Sequence, residues 1–403
     1  MNVLVINAGS SSFKYQLIDM DRHHVLCGGL VERIGEVMGR MVHKIAPDSD
    51  AEEKITTERP FANHVEGMKA VVAAITDPQK GVIKSKDEVH AIGHRVVMGG
   101  EAIKESVIID DRIKELIRDN FHLSPLHNPA NLAGIEVAEE LFPGVPNVGV
   151  FDTEFHQTMP EAAYLYPLPY SVYTEYRVRR YGFHGTSHRY VTRKTAEFLG
   201  KSVNEVNLIT CHLGNGCSMA AVKNGKCVDT TMGTTPLDGL MMGTRCGSID
   251  PAIVPFLVEK MGKSAGEVDM LMNKESGLKG ICGLNDMRDI HAACEKGDAR
   301  AALALDMFVY RIKKYIGAYM AVLGRLDAVV FTAGIGENDD IVRARVCDGL
   351  DHLGIALDLD ANAVRSSTPR SISKPGTAVP VLIVPTNEEL EIALTTARLT
   401  EGK

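Results

Sequence analysis

The chain has 403 residues, more than one ordinary hydrophobic core supports, so we expect two domains. Hydrophobic residues make up 45% and charged residues 24%, a globular composition that excludes a disordered chain. The formal net charge of −8 disfavours a nucleic-acid surface, which needs clustered Lys and Arg. No apolar run approaches the roughly 20 residues of a membrane span. We therefore expect a cytoplasmic protein with neither nucleic-acid nor membrane partners.

The eight cysteines include no C-x-x-C pair. In a chain of this size they indicate reduced cytosolic thiols and exclude a disulfide framework or a zinc site.

The first predicted elements form an internal echo. Residues 3–12 read as a buried strand that runs into a Gly/Ser turn, and residues 208–218 repeat this order in the second half of the chain. A second strand follows each turn, and Asn224-Gly225 is a strong hairpin signal. Such turns present backbone N–H groups as an anion site. Two unrelated hairpins remain the alternative at this point.

Further along the chain, helices and strands alternate. The pattern predicts, in order, a helix over 65–75, a strand over 89–93, a helix over 112–118, a strand over 147–151, a helix over 301–323, strands over 328–332 and 379–384, and a final helix over 387–399. This mixture indicates two α/β domains with mixed sheets. Two phosphate-binding hairpins facing each other across a cleft would hold a nucleotide.

Nucleotide motifs narrow the class. No G-x-x-x-x-G-K-[ST] segment is present, which excludes a P-loop NTPase. The segment 332–339 contains G-x-G, but Asp339 stands where a dinucleotide fingerprint has its third glycine, which disfavours NAD. A glycine turn against a nucleotide and a plain strand-to-helix turn both fit this segment.

Cationic and imidazole side chains beside glycines are the candidate site residues. Arg95 and Arg245 lie in glycine-rich segments, where a guanidinium fork suits carboxylate or phosphate oxygens. Lys14 follows the first turn and could reach back to a phosphate. His184 and His188 are four residues apart, but Gly185 disfavours one helix through both, so we expect His184 to donate to a phosphoryl oxygen and not to bind a metal.

These segments carry a resemblance to a known family. Residues 5–14 and 180–188 resemble the two signature segments of the acetate kinase family. The similarity continues through 93–97, 212–216, 333–338 and 385–389, and it covers the whole chain.

The resemblance implies a duplicated ribonuclease H-like (actin-like ATPase) fold with a nucleotide cleft between two domains. It places an N-terminal domain at 1–150, joined by the returning helix at 386–403. It places a C-terminal domain for nucleotide binding and dimerisation at 151–385, and it implies a homodimer.

The implied reaction is reversible transfer of the ATP γ-phosphoryl group to acetate, giving acetyl phosphate and ADP. Mg²⁺, or Mn²⁺ in its place, would be held by Asn7 and Glu388, which offer hard oxygen ligands. The residues that the resemblance assigns to ATP are Lys14, His212, Leu213, Gly214, Asn215, Gly216, Asp286, Met287, Arg288, Gly334, Ile335, Gly336, Glu337 and Asn338.

The acceptor chemistry fixes the expected roles. A carboxylate with a pKa near ~4 is ionised at pH 7, so no general base is required. Arg95 would clamp the acetate, and Arg245 and His184 would donate to the transferring phosphoryl group. Asp152 is implied as the active-site acid, and we expect it to orient an arginine or a metal-bound water.

A small apolar pocket for the acetate methyl is also implied. Its residues are Val97, Leu126, Phe183 and Pro236, and Val97 would narrow it against propionate.

Three alternatives stay open: a propionate kinase of the same family, an actin-like or Hsp70-like ATPase, and a sugar kinase on the same fold. The sequence assigns no chemistry to His94, His122, His127, His156 or His188. It leaves the physiological direction and the proof of dimerisation undetermined.

Overall fold

The structure is a computed structural model that describes residues 1–47 and 49–402. The chain divides into two compact units. Unit 1 is Met1–Glu154 with the described residues from Asn387 onward, and unit 2 is Phe155–Thr386. The domains expected from the resemblance, 1–150 with 386–403 and 151–385, stay a prediction.

Unit 1 is built on one sheet of eight strands. In chain order its strands are β1 (Asn2–Ala8), β2 (Ser12–Asp19), β3 (His24–Glu32), β4 (Gly39–Ile45), β5 (Glu53–Arg59), β6 (Ala91–Val96), β7 (Val107–Ile108) and β8 (Asn147–Phe151). Its first three helices are α1 (His64–Ile75), α2 (Asp111–Asp119) and α3 (Asn128–Leu141). The spatial order is β5-β4-β3-β2-β1-β6-β8-β7, with β1, β6 and β8 parallel.

Unit 2 is built on a sheet of six strands: β9 (Leu208–Leu213), β10 (Cys217–Lys223), β11 (Lys226–Thr230), β12 (Ala328–Thr332), β13 (Arg370–Ser371) and β14 (Val381–Ile383). Its helices are α4 (Glu161–Tyr164), α5 (Tyr170–Tyr176), α6 (Gly185–Phe198), α7 (Ile253–Met261), α8 (Ala265–Lys274), α9 (Gly277–Cys282), α10 (Met287–Glu295), α11 (Ala299–Leu323), α12 (Ala333–Asn338), α13 (Asp340–Cys347) and α14 (Leu359–Ala363). The spatial order is β11-β10-β9-β12-β14-β13, and β9, β12 and β14 are parallel.

The C-terminal helix α15 (Glu388–Thr400) returns to unit 1 and packs on β1, β6 and β8. The central strand β1 shows why this helix is needed. Leu4 and Ile6 belong to the core formed with α1 and α3, whereas Val3 and Val5 belong to a second core that contains Ile392 of α15. Because successive strand side chains point to opposite faces, an all-apolar strand must be covered on both sides.

The two sheets share one strand order. In unit 1 the sequence β3-β2-β1-β6-β8 places an antiparallel meander beside two parallel strands, and in unit 2 β11-β10-β9-β12-β14 does the same. The echo seen in the sequence therefore extends over five strands. The hairpin at Asn224-Gly225 is confirmed, with φ of 49° and 73° at its two turn residues.

Several elements differ from the sequence expectations. The strand expected at 89–93 is found at Ala91–Val96, and that expected at 379–384 shortens to Val381–Ile383. The glycine segment after β12 is not an open turn but the short helix α12. The meander β3–β5 was not predicted. In the described residues no helix combines the length and apolar character that a membrane crossing requires.

Candidate active site

Unit 1 gathers polar side chains where its parallel strands end. Asn7 lies near the end of β1, Arg95 near the end of β6, and Asp152 directly after β8. Because the carboxyl ends of parallel strands meet at one edge of the sheet, these three residues become neighbours. The Asp152 backbone N–H donates to the carbonyl of Val96 at 2.9 Å, which fixes the chain as it leaves β8.

Arg95 is the centre of this group. Its Nε donates to Asp152 Oδ1 at 3.0 Å and its Nη2 to Asp152 Oδ2 at 2.5 Å, a bidentate ion pair. Nη1 lies 3.4 Å from Asn7 Oδ1, and Glu388 Oε2, at the start of α15, lies 3.8 Å from Nε. Burial by itself lowers the pKa of Arg95, but the charges of Asp152 and Glu388 outweigh it and raise that pKa. The guanidinium stays a cation.

The same group carries an excess of carboxylates. Burial raises the pKa of Glu388 to about 7; Arg95 opposes this shift, and Asp152 and Glu389 add to it. Three carboxyl groups, Asp152, Glu388 and Glu389, therefore lie near Arg95, which forms its bidentate ion pair with Asp152 alone. A further cation would stabilise the charged form of Glu388.

Lys14 stands beside Asn7 in the sheet. The two residues are direct partners in the antiparallel pairing of β1 with β2. Both line a pocket of about 210 Å³ in unit 1, together with Glu389, Gln16 and Lys44. The predicted phosphate ligand and one predicted metal ligand thus share one cavity.

In unit 2, His184 occupies a strained position at the start of α6. It is the N-cap residue and adopts the left-handed conformation, with φ of 57°. A non-glycine residue there costs of order 1 kcal/mol and is often found at functional sites. The helix begins at Gly185, so it does not run through both His184 and His188, as the sequence predicted.

His184 and Arg245 approach each other beside Gly216. A Cβ built on Gly216 would lie 3.5 Å from His184 Cε1, 3.6 Å from His184 Nε2 and 3.6 Å from Arg245 Nη1. Arg245 Nη1 also donates to the carbonyl of Pro236 at 3.3 Å, and burial lowers the pKa of Arg245 without neutralising it. Among the described residues no carboxylate lies within ion-pair distance of Arg245, so this guanidinium can serve an anionic ligand.

The turn between β9 and β10 supports these donors. His212 stacks on His184 with ring centroids 4.2 Å apart. Asn215 packs against Gly243, where an added Cβ would lie 2.0 Å from Asn215 Oδ1 and would force the Asn215 side chain to move. The Gly243 N–H donates to the Asn215 carbonyl at 3.0 Å and ties the turn to the loop that carries Arg245.

The segment after β12 is held by Glu337. Its Oε1 accepts from the Ala333 N–H at 2.8 Å and from the Thr386 N–H at 3.0 Å. Ala333 is left-handed, with φ of 65°. The Glu337 carboxylate therefore shapes the backbone at the start of α12.

The two other predicted nucleotide segments, at the start of α10 and along α12, are tied together. His291 of α10 contacts Asp339 Oδ2 at 2.7 Å, and this hydrogen bond raises the pKa of His291. Asp286 caps α10 and pairs with the exposed Arg288. Gly334 and Asn338 are exposed on α12, whereas Gly336 is buried.

Comparison with known proteins decides the family. A family model described as the acetokinase family matches residues 2–394. The chain belongs to the acetokinase family. It is 73% identical to the acetate kinase of Oleidesulfovibrio alaskensis over 402 residues, which cover 100% of both chains.

Solved structures agree with this assignment. The crystal structure of Porphyromonas gingivalis acetate kinase matches with a TM-score of 0.95 at 44% identity, over 99% of this chain and 100% of that one. A propionate kinase from Francisella tularensis matches with a TM-score of 0.92 at 40% identity, over 99% of both chains. The expected family and the α/β fold with mixed sheets are confirmed.

The resemblance assigns residues of both units to a pocket for the acetate methyl group. Val97 is 6% exposed, and its N–H donates to Asn131 Oδ1 at 3.1 Å, whereas Leu126 is 64% exposed. In unit 2, Phe183 is 2% exposed and Pro236 is half-buried. The pocket assignment stays a prediction.

Sequence reasoning missed several residues that hold the site. Glu389 lines the unit 1 pocket, His291 ties α10 to Asp339, and Ser218 of β10 contacts His184. Two of them lie inside segments that the sequence singled out without giving them a role: Ser218 ends the 208–218 repeat, and Glu389 ends the 385–389 segment. His291 is close to the 286–288 segment, and no other sequence signal points to it.

Proposed function

We propose that this chain is a kinase for a small carboxylate, with acetate as its substrate, which transfers the γ-phosphoryl group of ATP to acetate and forms acetyl phosphate and ADP. The transfer is direct and in line, and it is reversible. The observation that carries the proposal is the bidentate pair of Arg95 with Asp152, in a chain that belongs to the acetokinase family.

The arrangement in unit 1 suits a carboxylate acceptor. Asp152 accepts from Nε and Nη2 of the Arg95 guanidinium, and Asn7 Oδ1 lies 3.4 Å from Nη1, which leaves one N–H on each of Nη1 and Nη2 for a second carboxylate. Acetate arrives as an anion, so Asp152 has no proton to remove. We assign to Asp152 the orientation of Arg95 and to Arg95 the binding of the acetate oxygens.

The arrangement in unit 2 suits the transferring group. The equatorial oxygens of a phosphoryl group in transit carry spread negative charge, and fixed donors stabilise it. Arg245 Nη1 and His184 Nε2 lie at the same space beside Gly216. We assign both to the phosphoryl oxygens, and we assign the glycines of the 214–216 turn to close backbone approach.

The donor set in unit 1 fits Mg²⁺. Asn7 supplies an amide oxygen, Glu388 a carboxylate, and the excess of carboxylates around Arg95 favours a divalent cation. The described residues hold no cluster of three His, Cys, Asp or Glu side chains that would form a protein-only cage. This suits Mg²⁺, which keeps water and phosphate ligands. The bound ion would neutralise phosphate oxygens, and Mn²⁺ would replace it.

The homodimer and the cytoplasmic location implied by family membership belong to the same proposal. Equilibrium sedimentation of the purified chain tests the dimer.

The experiment measures ADP formation from Mg²⁺-ATP with formate, acetate, propionate and butyrate, each beside a no-acid control. We expect strong dependence on acetate and weaker activity with propionate. A preparation of Arg245→Ala, purified in the same way, measures contaminating kinases. A preference for propionate would favour the propionate kinase alternative, and ATP turnover indifferent to every acid would favour an actin-like ATPase.

A further inference from the structure

Ser218 lies between two histidine rings. Its Oγ is 2.9 Å from Nδ1 of His184 and 2.8 Å from Nε2 of His188. The side chain is fully buried on β10. On its other side, His188 contacts the Thr210 hydroxyl through Nδ1 at 2.7 Å. The four side chains form one chain of hydrogen bonds that ends on the ring of His184.

The hydroxyl of Ser218 has a single proton, which limits the possible directions of these hydrogen bonds. It can donate to one ring nitrogen only, so a hydrogen bond to the other requires that nitrogen to donate. Burial lowers the pKa of His188 well below its ordinary value, and the neighbouring His156 and His212 add to this effect. His188 is therefore neutral and carries one proton, on Nδ1 or on Nε2.

Two arrangements satisfy all four side chains in this series of hydrogen bonds. In the first, Thr210 donates to His188 Nδ1, His188 Nε2 donates to Ser218, and Ser218 donates to His184 Nδ1. A neutral His184 then carries its proton on Nε2. In the second, all three bonds reverse, and His184 donates to Ser218 through Nδ1. A neutral His184 would then present a bare Nε2 beside Gly216, where the proposed function requires a donor.

We propose that Ser218, backed by His188 and Thr210, is a positioning residue that holds neutral His184 with its proton on Nε2, the atom that lies beside Gly216 and Arg245. The inference rests on the proposed function, which supplies the anion beside Nε2, but the position of the proton can be measured without turnover. An anionic phosphoryl group beside Nε2 selects the first arrangement, because a bare nitrogen would repel it.

The reversed arrangement also accommodates a His184 ring that is protonated on both nitrogens. When His184 is protonated on both nitrogens, Ser218 accepts a hydrogen bond from Nδ1 and donates its hydroxyl hydrogen to His188 Nε2, and His188 Nδ1 donates to Thr210. His184 thus donates through Nε2 both as a neutral ring and as a cation. The charged and titratable groups near it include Arg245, His188 and His212.

Ser218→Ala removes the hydrogen bonds of the Ser218 hydroxyl to His184 and His188 and leaves a methyl group. We expect kcat at pH 8 to fall about tenfold, part of the 10²–10³ that a lost oxyanion donor costs, with KM for ATP and acetate within about twofold. Ser218→Thr keeps the hydroxyl and should recover most of the rate.

Thr230→Val is the matched control. Thr230 lies on β11, is buried, and donates its hydroxyl at 2.9 Å to the carbonyl of Met219, which is next to Ser218 in the sequence. This variant loses a buried hydroxyl of the same kind and should keep the wild-type kcat at pH 8. A loss in Ser218→Ala that Thr230→Val shares, or that Ser218→Thr does not recover, would overturn the positioning role.

The deciding measurement is the ¹H–¹⁵N long-range spectrum of the ring nitrogens in histidine-labelled protein at pH 8 with Mg²⁺-ATP and no acid, with His184 assigned from a His184→Asn spectrum. We expect protonated Nε2 and bare Nδ1, and a mixture of both tautomers in Ser218→Ala. A proton on Nδ1 in the wild type would overturn the inference. Because the spectrum needs no turnover, its outcome is independent of whether acetate is the substrate.

Discussion

The Asp152 carboxylate and the Arg95 guanidinium form two parallel hydrogen bonds, Nε to Oδ1 at 3.0 Å and Nη2 to Oδ2 at 2.5 Å. Asp152 is 1% exposed, whereas Arg95 keeps 21% of its side chain open to solvent. The buried partner is thus the carboxylate, and the arginine is the more exposed member of the pair. This asymmetry fits the roles that we propose, Asp152 as the orienting residue and Arg95 as the binding residue.

Asp152→Asn should reduce kcat/KM for acetate about 10²-fold, because an amide oxygen can hold only one side of the fork and Arg95 loses its orientation. Initial rates over a range of acetate concentrations measure this. The matched control is Asp327→Asn, since Asp327 is 8% exposed and pairs with Lys201 at 2.7 Å on another part of the chain. A fall below threefold, or an equal fall in the control, would contradict the role of Asp152.

Arg245→Ala should lower kcat by roughly 10²–10³, because it removes a donor to the transferring group. The fold should tolerate the change: Arg245 has no carboxylate partner in the described chain, so no buried anion is stranded. Steady-state rates and the thermal midpoint, measured on one preparation, separate these effects. A fall in kcat below tenfold, with the midpoint unchanged, would mean that Arg245 does not contact the phosphoryl group.

Val97→Ala should improve propionate relative to acetate. Removing two methyl groups from a residue that is 6% exposed makes room for one more carbon, and one methylene changes discrimination by about 1–3 kcal/mol. The ratio of kcat/KM values for the two acids is the measurement. Val96→Ala, at the neighbouring buried position on β6, is the control that should leave the ratio unaltered. An unchanged ratio in Val97→Ala would remove Val97 from the pocket.

His94 should make the protein less stable in mild acid. Burial lowers its pKa to about 4, although the contact of Nε2 with Asn147 Oδ1 at 2.7 Å partly opposes this. Between pH 6.5 and 4 the unfolded chain binds a proton that the folded chain does not, so the free energy of unfolding falls as the pH falls. Between pH 7 and pH 5 this amounts to about 2 kcal/mol.

His94→Gln removes that titration. Urea unfolding at pH 7 and pH 5 should show a smaller pH-dependent loss for the variant than for the wild type, by about 2 kcal/mol. The buried His43 and His188 shift in the same direction, so the variant keeps part of the dependence. Identical pH dependence in both proteins would show that His94 does not titrate between the folded and unfolded states as argued.

The strands that the sequence predicts best are those with consecutive buried apolar residues. The bounds of β8 and β12 agree with the prediction because a strand covered on both faces leaves an unbroken apolar run. β5 was missed, since Glu53–Arg59 is mostly exposed and is held by its pairing with β4. Local composition does not reveal a strand that depends on its partner.

The site divides in a similar way. The sequence motifs predict Arg95, Asp152 and His184 as site residues. The contacts that hold their side chains in place come from distant parts of the chain. The sequence of α12 reads as a glycine turn. In the structure its Ala333 N–H donates to Glu337, which also accepts from the N–H of the distant Thr386. Ser218 lies in the 208–218 repeat without an assigned role, and only the pairing of β9 with β10 places it against His184.

Gly216→Ala should abolish most activity without loss of stability. The added Cβ lies 3.5–3.6 Å from His184 and Arg245, which is ordinary contact, and Gly216 has no positive φ that would resist an alanine. The methyl group nevertheless fills the space that both donors face, so we expect kcat to fall at least about tenfold while the thermal midpoint holds or rises slightly.

Gly317→Ala on α11 is the control, because nothing lies within 4 Å of its added Cβ. It should raise the midpoint and leave kcat unchanged. Full activity in Gly216→Ala would place the phosphoryl group elsewhere, since no oxygen could occupy the space that the methyl group had taken.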